Sequence, residues 1–204
     1  SNMSYPGSVR KLPTLNGERL VPGVVLVNNV IANVGQGGIL FSGDPNSGAV
    51  PMAAVPFGLI VNNTVYGGES AGGIGIQVTQ NAAPTLLNNI LANMATGIAI
   101  DATSSSSTVV GSNLFSGNNN NGTTGSNAIF LAPGDPLFVN PAAGNFYLAS
   151  GSNAIDSSLN SLQDRPNIVA VKSPLGIPQS PILAPEEDRF GQLRIDDPSQ
   201  DPPP

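Results

Sequence analysis

The sequence predicts an all-β fold: a solenoid of about five coils of stacked parallel strands, followed by an irregular C-terminal tail. Three observations predict it. Four similar phrases recur, VVLVNNVIAN, LIVNNTVYG, TLLNNILAN and VVGSNLFSG, and their alignment puts Asn29, Asn63, Asn89 and Asn113 in one column at intervals of 34, 26 and 24 residues. A Gly-led phrase follows each of the first three: GILFS from Gly38, GIGIQ from Gly73 and GIAID from Gly97. The 204 residues include 24 Gly and 19 Pro with only 10% charged residues, a mixture that interrupts every candidate helix and suits short strands joined by turns.

Within each phrase apolar residues alternate with small or polar ones, the period of a strand. Stacking the Gly-led phrases at the strand spacing of ~4.8 Å predicts one inward column of Ile39, Ile74 and Ile98 and a second of Phe41, Ile76 and Ile100. The Asn phrases add Val30 or Ile31, then Val65, Leu91 and Phe115. No single coil can bury its own apolar face, but stacked coils share one core. The Asn column reads as a turn ladder. Asn tolerates the left-handed backbone of a tight corner, and stacked amides bond along a column. Asn62-Asn63-Thr64 and Asn121-Gly122-Thr123 match the glycosylation acceptor pattern, a short and weak signal.

These repeats resemble the right-handed single-stranded parallel β-helix family, the pectate-lyase-like superfold, over roughly residues 24 to 157. Right-handed winding is what that resemblance implies, together with the bias of parallel crossovers. Residues 1–23, with Arg10, Lys11, Arg19 and three Pro, form a lead-in. The repeat starts at full strength at Val24, so further coils are expected before residue 1 in a parent chain. The β-helix itself is assigned to residues 24–158. Its first repeat carries a surplus, GDPNSGAVPMAAVP (Gly43 to Pro56), with the composition of a loop. The second contains the turn GGESAGG with Glu69, and the third ends in DATSSSST. The fourth gives way to SGNNNNGTTGSN, Ser116 to Asn127, which reads as a mobile polar loop.

The piece DPLFVNPAAGNFYLASGSNAID, from Asp135 to Asp156, closely resembles the closing segment of many bacterial parallel β-helix proteins, where it forms the last coil or coils. Leu137 with Val139, and Phe146 with Leu148, alternate as strands around a turn at Pro141 to Asn145. Asp135 and Asp156 are expected to bond nearby backbone N–H groups at bends. Residues 159–204 form a Pro-rich acidic tail or linker, in which NIVAV and PILAP are expected to run along the side of the solenoid. Its end resembles the tails that follow such helices in very large secreted or surface-attached bacterial proteins. Another domain is expected beyond it.

Composition limits the chemistry. With no Cys and no His, the chain alone excludes the usual zinc sites and Ser-His-Asp or Cys-His catalysis. No Lys or Arg lies between Arg19 and Arg165, and residues 24–158 hold five acids: Asp44, Glu69, Asp101, Asp135 and Asp156. That stretch lacks the basic footprint a nucleic-acid partner needs. It also contains no transmembrane segment. No cofactor is expected. Ca²⁺ is considered only at the acidic cluster from Glu186 onward, which shows no EF-hand or other regular calcium-loop spacing.

Pectate lyases use Ca²⁺-binding acids with a basic proton acceptor, and polygalacturonases use Asp residues with His and an Arg/Lys motif. Neither set can be carried to any residue of this chain, so no catalytic residue and no metal ligand is assigned. The nearest to a carboxylate pair is Asp101 with Glu69, and glycosidic hydrolysis would need such a pair ~5–10 Å apart. Asp101 is placed in an outward column with Ser42 and Gln77, and Tyr66 follows the second Asn phrase. Tyr66, Glu69, Gln77 and Asp101 are therefore the candidate ligand-binding residues. The expected function is a non-catalytic structural or adhesive module of an extracellular or cell-surface protein. Its partners would be neutral polysaccharide, other surface proteins and adjoining domains of the same parent chain. The alternatives are a neutral-polysaccharide-binding module, or the remnant of a polysaccharide lyase or glycoside hydrolase whose site lies elsewhere.

Overall fold

The computed structural model describes residues 24–43, 57–69, 71–162 and 182–194. The expectations for the lead-in, for the surplus loop beyond Gly43 and for NIVAV fall outside these residues. Along the chain a three-strand unit recurs. It appears as β1 (Val24–Val27), β2 (Val30–Ala32) and β3 (Gly37–Ser42), then as β4 (Phe57–Val61), β5 (Thr64–Tyr66) and β6 (Ile74–Thr79). It returns as β7 (Ala83–Leu87), β8 (Ile90–Ala92) and β9 (Thr96–Ile100), and as β10 (Val109–Gly111), β11 (Leu114–Ser116) and β12 (Asn120–Gly122). A further strand, β13 (Ile129–Leu131), follows. Equivalent strands pair in parallel, giving sheet 1 (β1-β4-β7-β10), sheet 2 (β2-β5-β8-β11-β13) and sheet 3 (β3-β6-β9-β12). This all-β stack of parallel strands is the arrangement of a β-solenoid.

The columns inside the stack are close to the expected ones, with one register correction. In sheet 3, Ile39 pairs with Ile76 and Ile76 with Ile98, while Phe41, Val78 and Ile100 form the next column. The glycines in register are therefore Gly38, Gly75 and Gly97, and the alignment on Gly73 was two residues out. A shift of two keeps every side chain on its expected face, so the inward set survives the error. The reason for the glycines is steric. A Cβ on Gly75 would lie 2.5 Å from the Gly97 carbonyl oxygen and 2.9 Å from Leu91 Cδ1. Sheet 2 supplies the opposing column, Ile31-Val65-Leu91-Phe115, which decides between Val30 and Ile31. Its members meet Ile60, Leu86 and the sheet 3 columns in one core.

The polar run from Ser116 to Asn127 is not a free loop. It contains β12, paired with β9. Asn118 anchors it, its Oδ1 accepting from the Met94 N–H at 2.8 Å and its Nδ2 donating to the Leu91 carbonyl at 2.9 Å. A run of Asn looks like loop by composition, yet it can satisfy a sheet edge with side-chain amides.

The three sheets differ on their outer faces, and this places the rest of the chain. In sheet 3, Ile39 and Phe41 of β3 are buried while Leu40 and Ser42 face outward, and Leu40 is 67% exposed. Sheets 1 and 2 are covered over part of their outer faces. The closing segment forms an antiparallel hairpin, β14 (Phe138–Asn140) with β15 (Asn145–Leu148), rather than another parallel coil. Its turn is a single 3-10 turn, Pro141–Ala143, followed by Gly144 in the left-handed conformation. Phe138, Phe146 and Leu148 pack on Tyr66, Ala92 and Leu114, the outer face of sheet 2. Outside sheet 1, buried Val61 and Leu87 pack with Val27, Leu59 and Leu159. Strands covered on both faces read as near-continuous apolar runs, which is why LIV of β4 and TLL of β7 do not alternate, whereas the end strand β1 keeps Val24 and Val25 exposed. Beyond Leu159, β16 (Ser161–Leu162) pairs antiparallel with β17 (Ile182–Leu183), so Ile182 and Leu183 of the PILAP piece form a strand paired with the chain after Leu159 and not with a strand of the stack. No helix among the described residues is long and apolar enough to cross a membrane.

Candidate functional site

The corner between sheets 1 and 2 is built from the Asn pairs, and their two jobs are divided. The first residue of each pair takes the left-handed backbone: Asn28 (φ 58°), Asn62 (φ 54°), Asn88 (φ 54°) and the equivalent Ser112 (φ 51°). The second forms the ladder. The expectation that one Asn would do both is corrected here. Asn29 Nδ2 donates to Asn63 Oδ1 at 2.9 Å, Asn63 Nδ2 to Asn89 Oδ1 at 3.1 Å and Asn89 Nδ2 to Asn113 Oδ1 at 2.9 Å. The backbone N–H of each donor joins the same oxygen, at 3.0, 3.0 and 2.9 Å. The other Nδ2 hydrogens reach strand carbonyls, from Asn63 to Leu26 at 2.9 Å and from Asn89 to Ile60 at 2.8 Å. Asn63, Asn89 and Asn113 are 1%, 0% and 0% exposed; buried this deeply, an amide has to be fully paired.

The left-handed column turns its side chains the other way and lines the floor of a cleft of about 540 Å³. Two returning segments form its walls. The hairpin supplies Phe146 and Tyr147, and residues 188–194 supply Arg189 and Phe190. Tyr147 and Phe190 stack with centroids 5.7 Å apart and planes 20° from parallel, and both rings are about half exposed, 49% and 55%. The Arg189 guanidinium sits 4.4 Å from the Phe190 ring centroid, within cation–π range.

Asn28 and Asn88 hold the returning chain. Asn28 Nδ2 donates to the Glu187 carbonyl at 2.7 Å, and Arg194 donates to Asn28 Oδ1 at 2.9 Å. Asn62, between them in the column, holds nothing: its Oδ1 is buried without a hydrogen-bond partner. Asp188 shapes the far wall by accepting from the Phe190 and Gln192 amides at 2.7 and 2.9 Å. The Gln192 hydrogen bond leads in holding its carboxyl below the usual range; desolvation opposes it, and the Phe190 hydrogen bond and the charges of Arg194 and Arg189 add to the lowering.

None of the four residues singled out from sequence lines this cleft. Tyr66 is 9% exposed; its ring meets Phe146 and Phe138 edge-on at 5.4 and 6.2 Å, so it packs the hairpin onto sheet 2 instead of offering an open face. Glu69 is exposed in the connection from β5 to β6. Gln77 pairs with Leu40 and Ala99 on the open face of sheet 3. Asp101 follows β9, and its N–H donates to the Val78 carbonyl at 3.0 Å. The register thus places Ser42, Thr79 and Asp101 in one column and Gln77 in another.

The Asp101 carboxylate organises a turn. Oδ2 accepts from the Gln80 N–H at 2.8 Å, and Oδ1 accepts from Thr103 Oγ1 at 2.8 Å and the Ser104 N–H at 2.9 Å. Desolvation pushes its pKa up, but the hydrogen bonds from Gln80, Thr103 and Ser104 outweigh that and lower it to about 2. Asp135 accepts from the Ala132 N–H at 2.8 Å, the local role expected of it. Among the described residues no three His, Cys, Asp or Glu side chains are grouped to hold a metal ion.

The cleft residues escaped sequence reasoning because they come from three distant stretches. One signal was present: apolar residues on both faces of sheet 1 require a cover, and Leu159 supplies part of it. Comparison with known proteins gives no match to a family model, a curated protein or a solved structure.

Proposed function

We propose that the chain is a non-catalytic structural or adhesive module, a right-handed parallel β-helix of about five coils belonging to a large extracellular or cell-surface bacterial protein. The observation that carries this reading is the buried Asn ladder. The most repeated polar residue of the sequence is used to join one level of the stack to the next, and Asp101, the acid of the open sheet face, is tied into a turn. Such a body transmits position and load without needing a reactive centre.

The test has two arms. On intact cells of the source organism, an external protease should cut the chain. The isolated chain should release no sugar from polygalacturonate, xylan or β-glucan. Protection in intact cells would overturn the surface assignment, and release of sugar would overturn the non-catalytic one.

A further inference from the structure

We propose that the two ends of the stack bind each other in separate copies of the chain, so that copies join head to tail into an open rod. This goes beyond the module reading and does not depend on it. Among the described residues, β1, β2 and β3 are the end strands of their sheets on one side, and β13 and β12 end sheets 2 and 3 on the other. Exposed strand edges are ordinarily blunted by a charge or a Pro. Neither residues 24–43 nor residues 102–131 contain a charged residue or a Pro. The apolar column is open as well. Phe130 pairs with Phe115 and stacks on its ring at 5.7 Å, continuing the column that begins at Ile31, and it is 56% exposed.

The polar groups of the two ends match. Inside the stack three hydrogen bonds join one Asn corner to the next: from the Asn62 N–H to the Leu87 carbonyl at 3.0 Å, from the Asn63 N–H to Asn89 Oδ1 at 3.0 Å, and from the Ile90 N–H to the Asn63 carbonyl at 2.8 Å. Gly111 pairs with Ser126 and Leu114 with Ile129, so Asn127 and Ala128 take the places of Asn62 and Asn63 at the last level. Asn127 has the same left-handed backbone, φ 51°. Among the described residues its N–H, the Ala128 N–H and the Ala128 carbonyl have no partner. At the first level Asn29 Oδ1 and the Val30 N–H have none either, and the Val27 carbonyl accepts only from the Asn29 side chain at 3.2 Å.

A second copy displaced by five levels along the axis brings these sets together. The Asn127 N–H meets the Val27 carbonyl, the Ala128 N–H meets Asn29 Oδ1, and the Val30 N–H meets the Ala128 carbonyl. The same displacement lays β2 parallel on β13, with Ile31 over Phe130. Sheet 3 ends one level sooner, on β12, so the contact rests on sheets 1 and 2. An extended peptide could pair with either edge, but it has no left-handed corner to present the three groups in this order and no ring to close the column. The contact joins unlike ends by a displacement along one axis, so it does not close and each addition exposes the next site.

The test follows the full chain from about 1 μM to about 1 mM by sedimentation and small-angle scattering. Mass should rise with concentration without a plateau at the dimer, and the rod should lengthen by ~24 Å per copy at constant cross-section. Val30→Pro removes a donor that serves no bond within the chain, a change an edge strand tolerates, and should weaken association severalfold. Ala128→Asn supplies the carboxamide that the junction lacks, equivalent to the bond from Asn63 Nδ2 to Asn89 Oδ1, and should strengthen association at least about threefold. Thermal melts of both variants establish that the fold is retained. A monomer at every concentration, a dimer that grows no further, growth by thickening of the rod, or association unchanged in both folded variants would each overturn the proposal. A monomer would leave the module reading standing, and release of sugar would sink the module reading alone.

Discussion

Asn88 and Leu159, separated by 71 residues, grip each other through two hydrogen bonds: Asn88 Nδ2 donates to the Leu159 carbonyl at 2.7 Å, and the Leu159 N–H donates back to Asn88 Oδ1 at 3.0 Å. The carboxamide imitates a peptide group and pairs with the returning chain as a strand would. It does so beside Val61 and Leu87, which Leu159 helps to cover. Seating the tail and burying the outer face of sheet 1 are thus one event.

Asn88→Gly keeps the backbone conformation and deletes both bonds. It should cost about 1–2 kcal/mol, measured by urea unfolding. The Leu159 amide should lose its protection in hydrogen exchange, while amides of β8 and β9 keep theirs.

Rungs of the ladder are not equivalent. Asn89→Ala strips the acceptor from two Asn63 donors and the donor from the Ile60 carbonyl, all in the dry interior. A loss of about 3 kcal/mol or more is expected. Asn29→Ala, at the exposed end of the column, should cost less than about 1 kcal/mol. Equal losses in chemical unfolding would show that the ladder is not a buried network.

Gly75→Ala forces a methyl group against the Gly97 carbonyl and Leu91, and overpacking of this kind costs about 1–3 kcal/mol. Gly35→Ala meets nothing within 4 Å and should stay within about 0.5 kcal/mol of the parent. The pair of variants separates close approach from a general intolerance of alanine.

The folded-state pKa of Asp101, about 2, lies below its ordinary 3.8. The sign follows from linkage: the contribution is fully present above the unfolded pKa and is lost as pH falls through the folded one. The parent should exceed Asp101→Asn in urea midpoint by a constant amount at neutral pH, and the gap should close between about pH 4 and pH 2. A gap independent of pH would mean that the turn does not require the charge.

The stacked core was legible in the sequence because a period-two pattern tolerates error. The misplaced Gly73 shifted a register by two and still left Ile74 and Ile76 on their correct face. The ladder was legible for a related reason, since one Asn per repeat specifies a column whatever the loop lengths between. The hairpin and the cleft were not legible. Whether Phe146 closes another parallel level or turns back over Tyr66 depends on which surface is left uncovered, and that is a property of the assembled stack. Tyr147 and Phe190, 43 positions apart, share no local pattern that would pair them.

The ladder also bears on how long such a body can be. Every rung presents the same oxygen to the level before it and the same amide to the level after it. Cutting out the residues from Asn63 to Asn88 would bring Asn29 over Asn89 with the same partners on either side, and Ile31 over Leu91 inside. Whole levels can therefore be lost or duplicated at the gene without creating a mismatched seam, so length in this architecture is free to drift while its cross-section stays fixed.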